Sequence, residues 1–267
     1  MDYVPWETAL NHFGLIDTIM NRNELLQQYI VRLIRSIVQR LGWQESPGDS
    51  LFEIKLRAII LRASIFYGNE PSVTEARRLF NKWMKNGDKI AANIRETVYH
   101  AGIQYGGEEE YEFVWNKYRK ESDVSEKRIL LSALSSIRKE ELLNSYLISS
   151  LNQTLIRSQD FPFVVQCAAR NPIGRSLTWN FVRNNWQQIF NIFGQGSFSL
   201  DIIIAESIWH FSNELEYQQI KQFFDGVEVG SGQQSLQQSL EKIRSNIYWK
   251  NNVESKVIAW LQKVKSS

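Results

Sequence analysis

The 267 residues suit one large domain or two small ones, and 43% of them are hydrophobic, so a sizeable core can form. Charged residues make up 22% and nearly cancel, leaving a net charge of +2, which argues against the clustered cationic face that nucleic-acid binding requires. A single cysteine, Cys167, excludes an internal disulfide and a cysteine-based zinc site.

The chain opens with Met1-Asp2-Tyr3-Val4-Pro5-Trp6, which lacks the basic and apolar regions of a signal peptide and has the look of a piece cut from a longer protein. Apolar residues then recur at spacings of three and four, the signature of helices. Leu26, Tyr29, Ile30, Leu33, Ile37 and Leu41 form the first broad stripe. A break is expected from Gly42 to Asp49, after which Asp49-Ser50 caps a helix over Leu51 to Phe66. Ser72 with Glu75 three residues on has the pattern of a capping box for the next helix. Gly106-Gly107 breaks a helix, and Glu108-Glu109-Glu110 starts another that carries Tyr111, Trp115 and Tyr118. Asp123 and Ser125 precede the Leu130, Leu131, Leu134 stripe, and Asn171-Pro172 reads as a cap with proline at the first helical position. Further breaks fall at Gly194 to Ser199, Ser212-Asn213 and Gly226 to Gly232. Leu236, Leu240, Ile243 and Ile247 form a late stripe, and Val253, Val257, Trp260 and Val264 continue it after Asn251-Asn252.

Many medium helices joined by short turns, with weak strand signals throughout, predict an all-α fold. The expected form is a right-handed superhelical stack of HEAT- or armadillo-like helical hairpins with a concave inner face, a single helical-repeat domain over residues 1–267. No repeat of fixed period is visible, and no stretch of about 18 apolar residues spans a membrane.

Catalytic patterns are missing from the sequence. His12, His100 and His210 have no partner spaced to share a helical face, and there is no H-E-x-x-H helix, phosphate loop, dinucleotide loop or nucleophile elbow. The acidic run Glu108 to Glu112 reads as first-turn carboxylates set against the helix dipole rather than as a metal site. The aromatic stripes, including Trp179 and Trp186, read as core or helix interface, with some of the nine tryptophans available to line a groove.

Several runs resemble the C-terminal helical domain of zinc aminopeptidases of the aminopeptidase N type, the ERAP1_C-like domain. They are Tyr3-Val4-Pro5-Trp6, Val98-Tyr99-His100, and Gly106-Gly107-Glu108-Glu109-Glu110-Tyr111 with Phe113, Trp115 and Arg119. Next come Leu143-Asn144 with Tyr146-Leu147, Leu155-Ile156-Arg157 with Gln159-Asp160, and Asn171-Pro172-Ile173-Gly174 with Trp179, Phe181-Val182 and Asn185-Trp186. Gly196-Ser197-Phe198-Ser199, Phe211-Ser212 and Gln222-Phe223 complete a colinear series from about Tyr3 to Leu261.

The resemblance implies a non-catalytic part of a zinc-dependent enzyme that removes N-terminal residues from peptides. No cofactor is expected in this chain itself; zinc, its ligands and the exopeptidase motif belong to earlier domains of such enzymes. The implied partners are an upstream catalytic domain and a peptide substrate. A second copy of the chain, or a viral or toxin ligand, is implied for some members. The implied location is the cell surface, as a membrane-anchored ectoenzyme, or the lumen of the endoplasmic reticulum. Cell-surface relatives carry two disulfides in this domain, at places matching Ser64, the Pro71-Ser72 region, His100 and Ser136 here. Asn152-Gln153-Thr154 is the only glycosylation sequon. Arg175, Arg183, Trp209 and His210 are the residues expected to face a peptide, because they combine charge or polarity with a place near the matching runs. The alternative reading is a stand-alone helical-repeat adaptor that binds partner proteins.

Overall fold

A computed structural model describes residues 2–194 and 199–266, and among these no strand occurs. The Gly196-Ser197-Phe198 part of one matching run lies outside the described residues. The fold is all-α. The chain forms two compact units, one made of Met1–Ile137 together with Val257–Ser267, the other of Arg138–Lys256.

The first unit holds α1 (Tyr3–Ile19), α2 (Glu24–Leu41), α3 (Leu51–Phe66), α4 (Glu70–Asn86), α5 (Ala92–Gln104), α6 (Glu108–Lys120) and α7 (Val124–Leu134). It also holds most of α15 (Glu254–Ser266), with which the chain returns to it. Helices α1, α3, α5 and α7 pack in succession, while α2, α4 and α6 each lie against members of that row. The second unit repeats the scheme. There α8 (Glu140–Ser149), α10 (Gly174–Asn184), α12 (Ser199–Ile208) and α14 (Gln233–Asn252) form one row. Around it lie α9 (Phe161–Arg170), α11 (Trp186–Phe193) and α13 (Glu214–Phe224). Such two-row packing is what paired helices produce when each can bury an apolar stripe only against its neighbours.

Local chemistry sets the helix starts. Ser50 and Glu53 form a capping box at α3, with the Ser50 hydroxyl accepting from the Glu53 amide at 3.3 Å and Glu53 accepting from the Ser50 amide at 3.0 Å. Asp123 caps α7 by accepting from the Glu126 amide at 2.7 Å. The capping box expected at Ser72 and Glu75 does not form. Asn69 is the cap, α4 starts at Glu70, and the Ser72 hydroxyl donates to the Asn69 side chain at 2.8 Å. Glu75 instead accepts from Arg78. Proline also sits elsewhere than expected: Asn171 turns the chain by accepting from the Ile173 amide at 3.1 Å, and α10 begins two residues after Pro172.

Burial follows the stripes. Leu26, Ile30, Ile34, Ile37 and Leu41 are buried along α2, each contributing about 1.5–3 kcal/mol relative to an exposed position. The aromatic residues serve as core. Tyr111 and Tyr118 are buried, and Trp115 stacks on Tyr118 at 5.5 Å. Trp179 and Trp186 both pack on Phe224. Glu110 reaches back to accept from the Gly107 amide at 2.7 Å, so the acidic run starts α6. Of the positions that the resemblance matches to cysteines, Ser64 and Ser72 are buried. Also among them, His100 Nδ1 lies 2.5 Å from the Ser136 hydroxyl and its Nε2 3.1 Å from that of Ser132.

Candidate functional site

The second unit gathers polar side chains at the end of α12. Glu206, on its last turn, accepts from three directions. Gln166 Nε2 of α9 lies at 2.7 Å, Arg170 Nη2 of α9 at 3.1 Å, and Trp209 Nε1 at 3.2 Å. Gln166 and Arg170 are four residues apart, which places both on one face of α9. The turn that follows, Trp209–Phe211, is held from α14. The amide of Asn246, itself 1% exposed, donates to the carbonyls of Trp209 at 2.9 Å and Phe211 at 3.0 Å.

His210 sits at the middle of this turn, 3% exposed, with its ring 5.9 Å from Trp209 and 4.5 Å from Phe211. Neither ring nitrogen has a hydrogen-bond partner among the described residues. Burial, reinforced by the charge of Arg175 on α10, pushes its pKa down to about 3; the nearby Glu206 backbone opposes the shift only weakly. The imidazole is therefore neutral at physiological pH and has no capacity as a general base poised near 7. Gly174 permits the close approach of α10 to α9, since a Cβ there would lie 1.9 Å from the Ala168 carbonyl oxygen.

Of the four residues expected to face a peptide, Trp209 and His210 share this turn, and the charge of Arg175 acts on the His210 ring. Arg183 stands about two turns further along α10. There its guanidinium donates to Asn180 at 3.1 Å and lies 6.0 Å from the Trp179 ring. Asn152 is exposed in the turn after α8, accepting from the Thr154 amide and hydroxyl at 3.0 and 2.7 Å. Sequence reasoning missed Gln166, Arg170, Glu206 and Asn246. The first two carry a readable signal in their four-residue spacing. Asn246 carries none, because its partners lie more than thirty residues away.

Among the described residues no group of three or more His, Cys, Asp or Glu side chains is placed to hold a metal ion, so a zinc ion finds no fitting donor set here. No helix among the described residues is long and apolar enough to cross a membrane.

Residues 1–245 match the family described as the ERAP1-like C-terminal domain. The chain belongs to that family. It is 34% identical to aminopeptidase N of Bos taurus over 98% of its own length, and 33% identical to aminopeptidase N of Homo sapiens over 97%. It is 30% identical to the human thyrotropin-releasing hormone-degrading ectoenzyme over 98%. The chain spans only 28% of the length of the first two relatives and 25% of the third. It therefore corresponds to the C-terminal domain of aminopeptidase N-type proteins.

Proposed function

We propose that this chain is the non-catalytic helical domain of a zinc-dependent aminopeptidase. In this reading it caps the active-site cavity and holds the distal part of a peptide whose N-terminal residue is removed by an upstream catalytic domain. The observation that carries the reading is the match to aminopeptidase N along 98% of the chain. The geometry supports it at one place. Arg175 supplies positive charge close to a neutral, buried His210 and the amphipathic Trp209, while Arg170 is already paired with Glu206, and this combination suits a peptide tail that ends in a carboxylate. Zinc would be bound by polypeptide outside this chain, and the parent would act at the cell surface or in the lumen of the endoplasmic reticulum. Dimerisation and the docking of foreign proteins, such as viral or toxin ligands, are secondary roles within the same reading.

The test uses the enzyme containing this domain. Arg175→Ala should raise KM for peptides of about ten residues by roughly tenfold, the scale of one charge-assisted hydrogen bond. It should leave kcat and the hydrolysis of a single amino-acid arylamide unchanged. Equal loss on both substrates would overturn the peptide-holding role. The absence of metal-dependent arylamide hydrolysis by the wild-type enzyme would overturn the aminopeptidase reading itself.

A further inference from the structure

A second constellation lies in the first unit. A groove of about 450 Å³ runs along α2, bounded by the last turns of α15 and by Tyr67 and Gly68 after α3. That volume falls within the range of small-molecule sites. One end of the groove is cationic, with Arg32, Arg35 and Lys265 on it. Arg32 is pinned by donating through Nη1 to the Val264 carbonyl at 3.0 Å. Arg35 and Lys265 are exposed and make no ion pair among the described residues. The single carboxylate on the groove, Glu24, accepts from Gln28 at 2.8 Å and stands eleven residues before Arg35, about 16 Å along the helix.

The other end is built around Tyr67. This residue is 8% exposed and lines the groove, and its hydroxyl has no hydrogen-bond partner among the described residues. Burial, with a smaller push from Asp17, raises its pKa, so the hydroxyl keeps its proton and remains a donor. Its surroundings are fixed. Arg22 pairs with Asp17 at 2.6 Å, donates to the Phe66 carbonyl at 3.1 Å and lies 5.6 Å from the Tyr67 ring. Gln27, which also lines the groove, donates to Asp17 at 3.4 Å. Asn21 and Arg22 hold this arrangement in left-handed backbone conformations, at φ 51° and 63°, which non-glycine residues adopt at a cost and chiefly where the surroundings demand it. Between Gln27 and Arg35 lie about 12 Å of helix, so the two ends engage different parts of one ligand.

We propose that this groove binds a small organic anion, its phosphate or carboxylate head on Arg32, Arg35 and Lys265 and its uncharged polar body on the Tyr67 hydroxyl. The assignment is independent of the aminopeptidase reading. It rests on an unpartnered donor carried by a largely buried side chain at one end of the groove and a surplus of positive charge at the other.

Isothermal titration calorimetry of the 267-residue chain at low salt tests it, with glucose 6-phosphate, citrate, inorganic phosphate and glucose as probes. Glucose 6-phosphate or citrate should bind, inorganic phosphate more weakly, and glucose not at all. Binding of glucose 6-phosphate alone would identify a phosphate head, and of citrate alone a carboxylate head. Arg35→Ala with Lys265→Ala should weaken binding at least about tenfold. Tyr67→Phe should weaken the larger anion about threefold or more while leaving inorganic phosphate unchanged. Arg77→Ala, on exposed α4 surface, is the control for non-specific charge and should change nothing. Failure of both organic anions to bind, or equal binding by the Arg35/Lys265 double variant, would overturn the site. A Tyr67→Phe variant that binds like the wild type would remove Tyr67 from it.

Discussion

Replacing His210 with phenylalanine should make the protein markedly less sensitive to mild acid. In the folded chain the imidazole stays neutral because burial and Arg175 hold its pKa near 3. In the unfolded chain a histidine titrates near 6.5. Between these values the unfolded state takes up a proton that the folded state refuses, so stability falls as pH falls from about 6.5 toward 3 and is complete above that window. For a single such group the loss between pH 7.5 and pH 5 is about 2 kcal/mol. His100, pushed the same way by burial and Arg62, adds a smaller share because its ring is partly exposed. The His210→Phe variant should lose about 2 kcal/mol less than the wild type over that interval. At pH 7.5 it should be as stable as the wild type or more so, because the aromatic ring keeps its place beside Trp209 and Phe211 and no unpartnered nitrogen is buried. Urea unfolding followed by circular dichroism at both pH values provides the numbers. An unchanged drop in the variant would show that His210 gains its proton in the folded state too, and would refute the reasoning.

Two substitutions probe the frame around this turn. Asn246→Ala leaves the buried carbonyls of Trp209 and Phe211 without their donor, and should cost about 2–5 kcal/mol in urea unfolding at pH 7.5. Gly174→Ala places a methyl group against the Ala168 carbonyl, a backbone atom that cannot swing aside. It should destabilise by about 1–3 kcal/mol or more, read as a lowered urea midpoint with an unchanged slope.

What could be read from the residues alone was local. Ser50 and Asp123 cap where they were expected to, because a cap depends on atoms three positions away. The α2 and α14 stripes were legible for the same reason. Ser72 was misread because Asn69, an equally good cap, stands three residues earlier and lets the helix start sooner. Pro172 was placed inside a helix because Asn-Pro can open either a helix or a turn, and only the packing of Gly174 against α9 decides. The influence of Arg175 on His210 lay beyond periodicity, since it depends on the packing of α10 against α12, elements far apart in sequence. The groove along α2 was further out of reach. Its cationic end joins Arg32 to a carbonyl 232 positions later in the chain.

That last contact bears on how the molecule is made. Tyr29 meets Trp260 edge to face at 5.2 Å, and Leu261 is buried in the same unit as the opening helices. A ribosome adds about 5–20 residues per second, so on the order of ten seconds or more separates the synthesis of α2 from that of the segment that closes over it. During that wait the intervening unit can complete itself while the earlier one stands unfinished. A nascent chain stalled before Val257 should therefore show a protected middle and an open beginning, the reverse of the usual vectorial order.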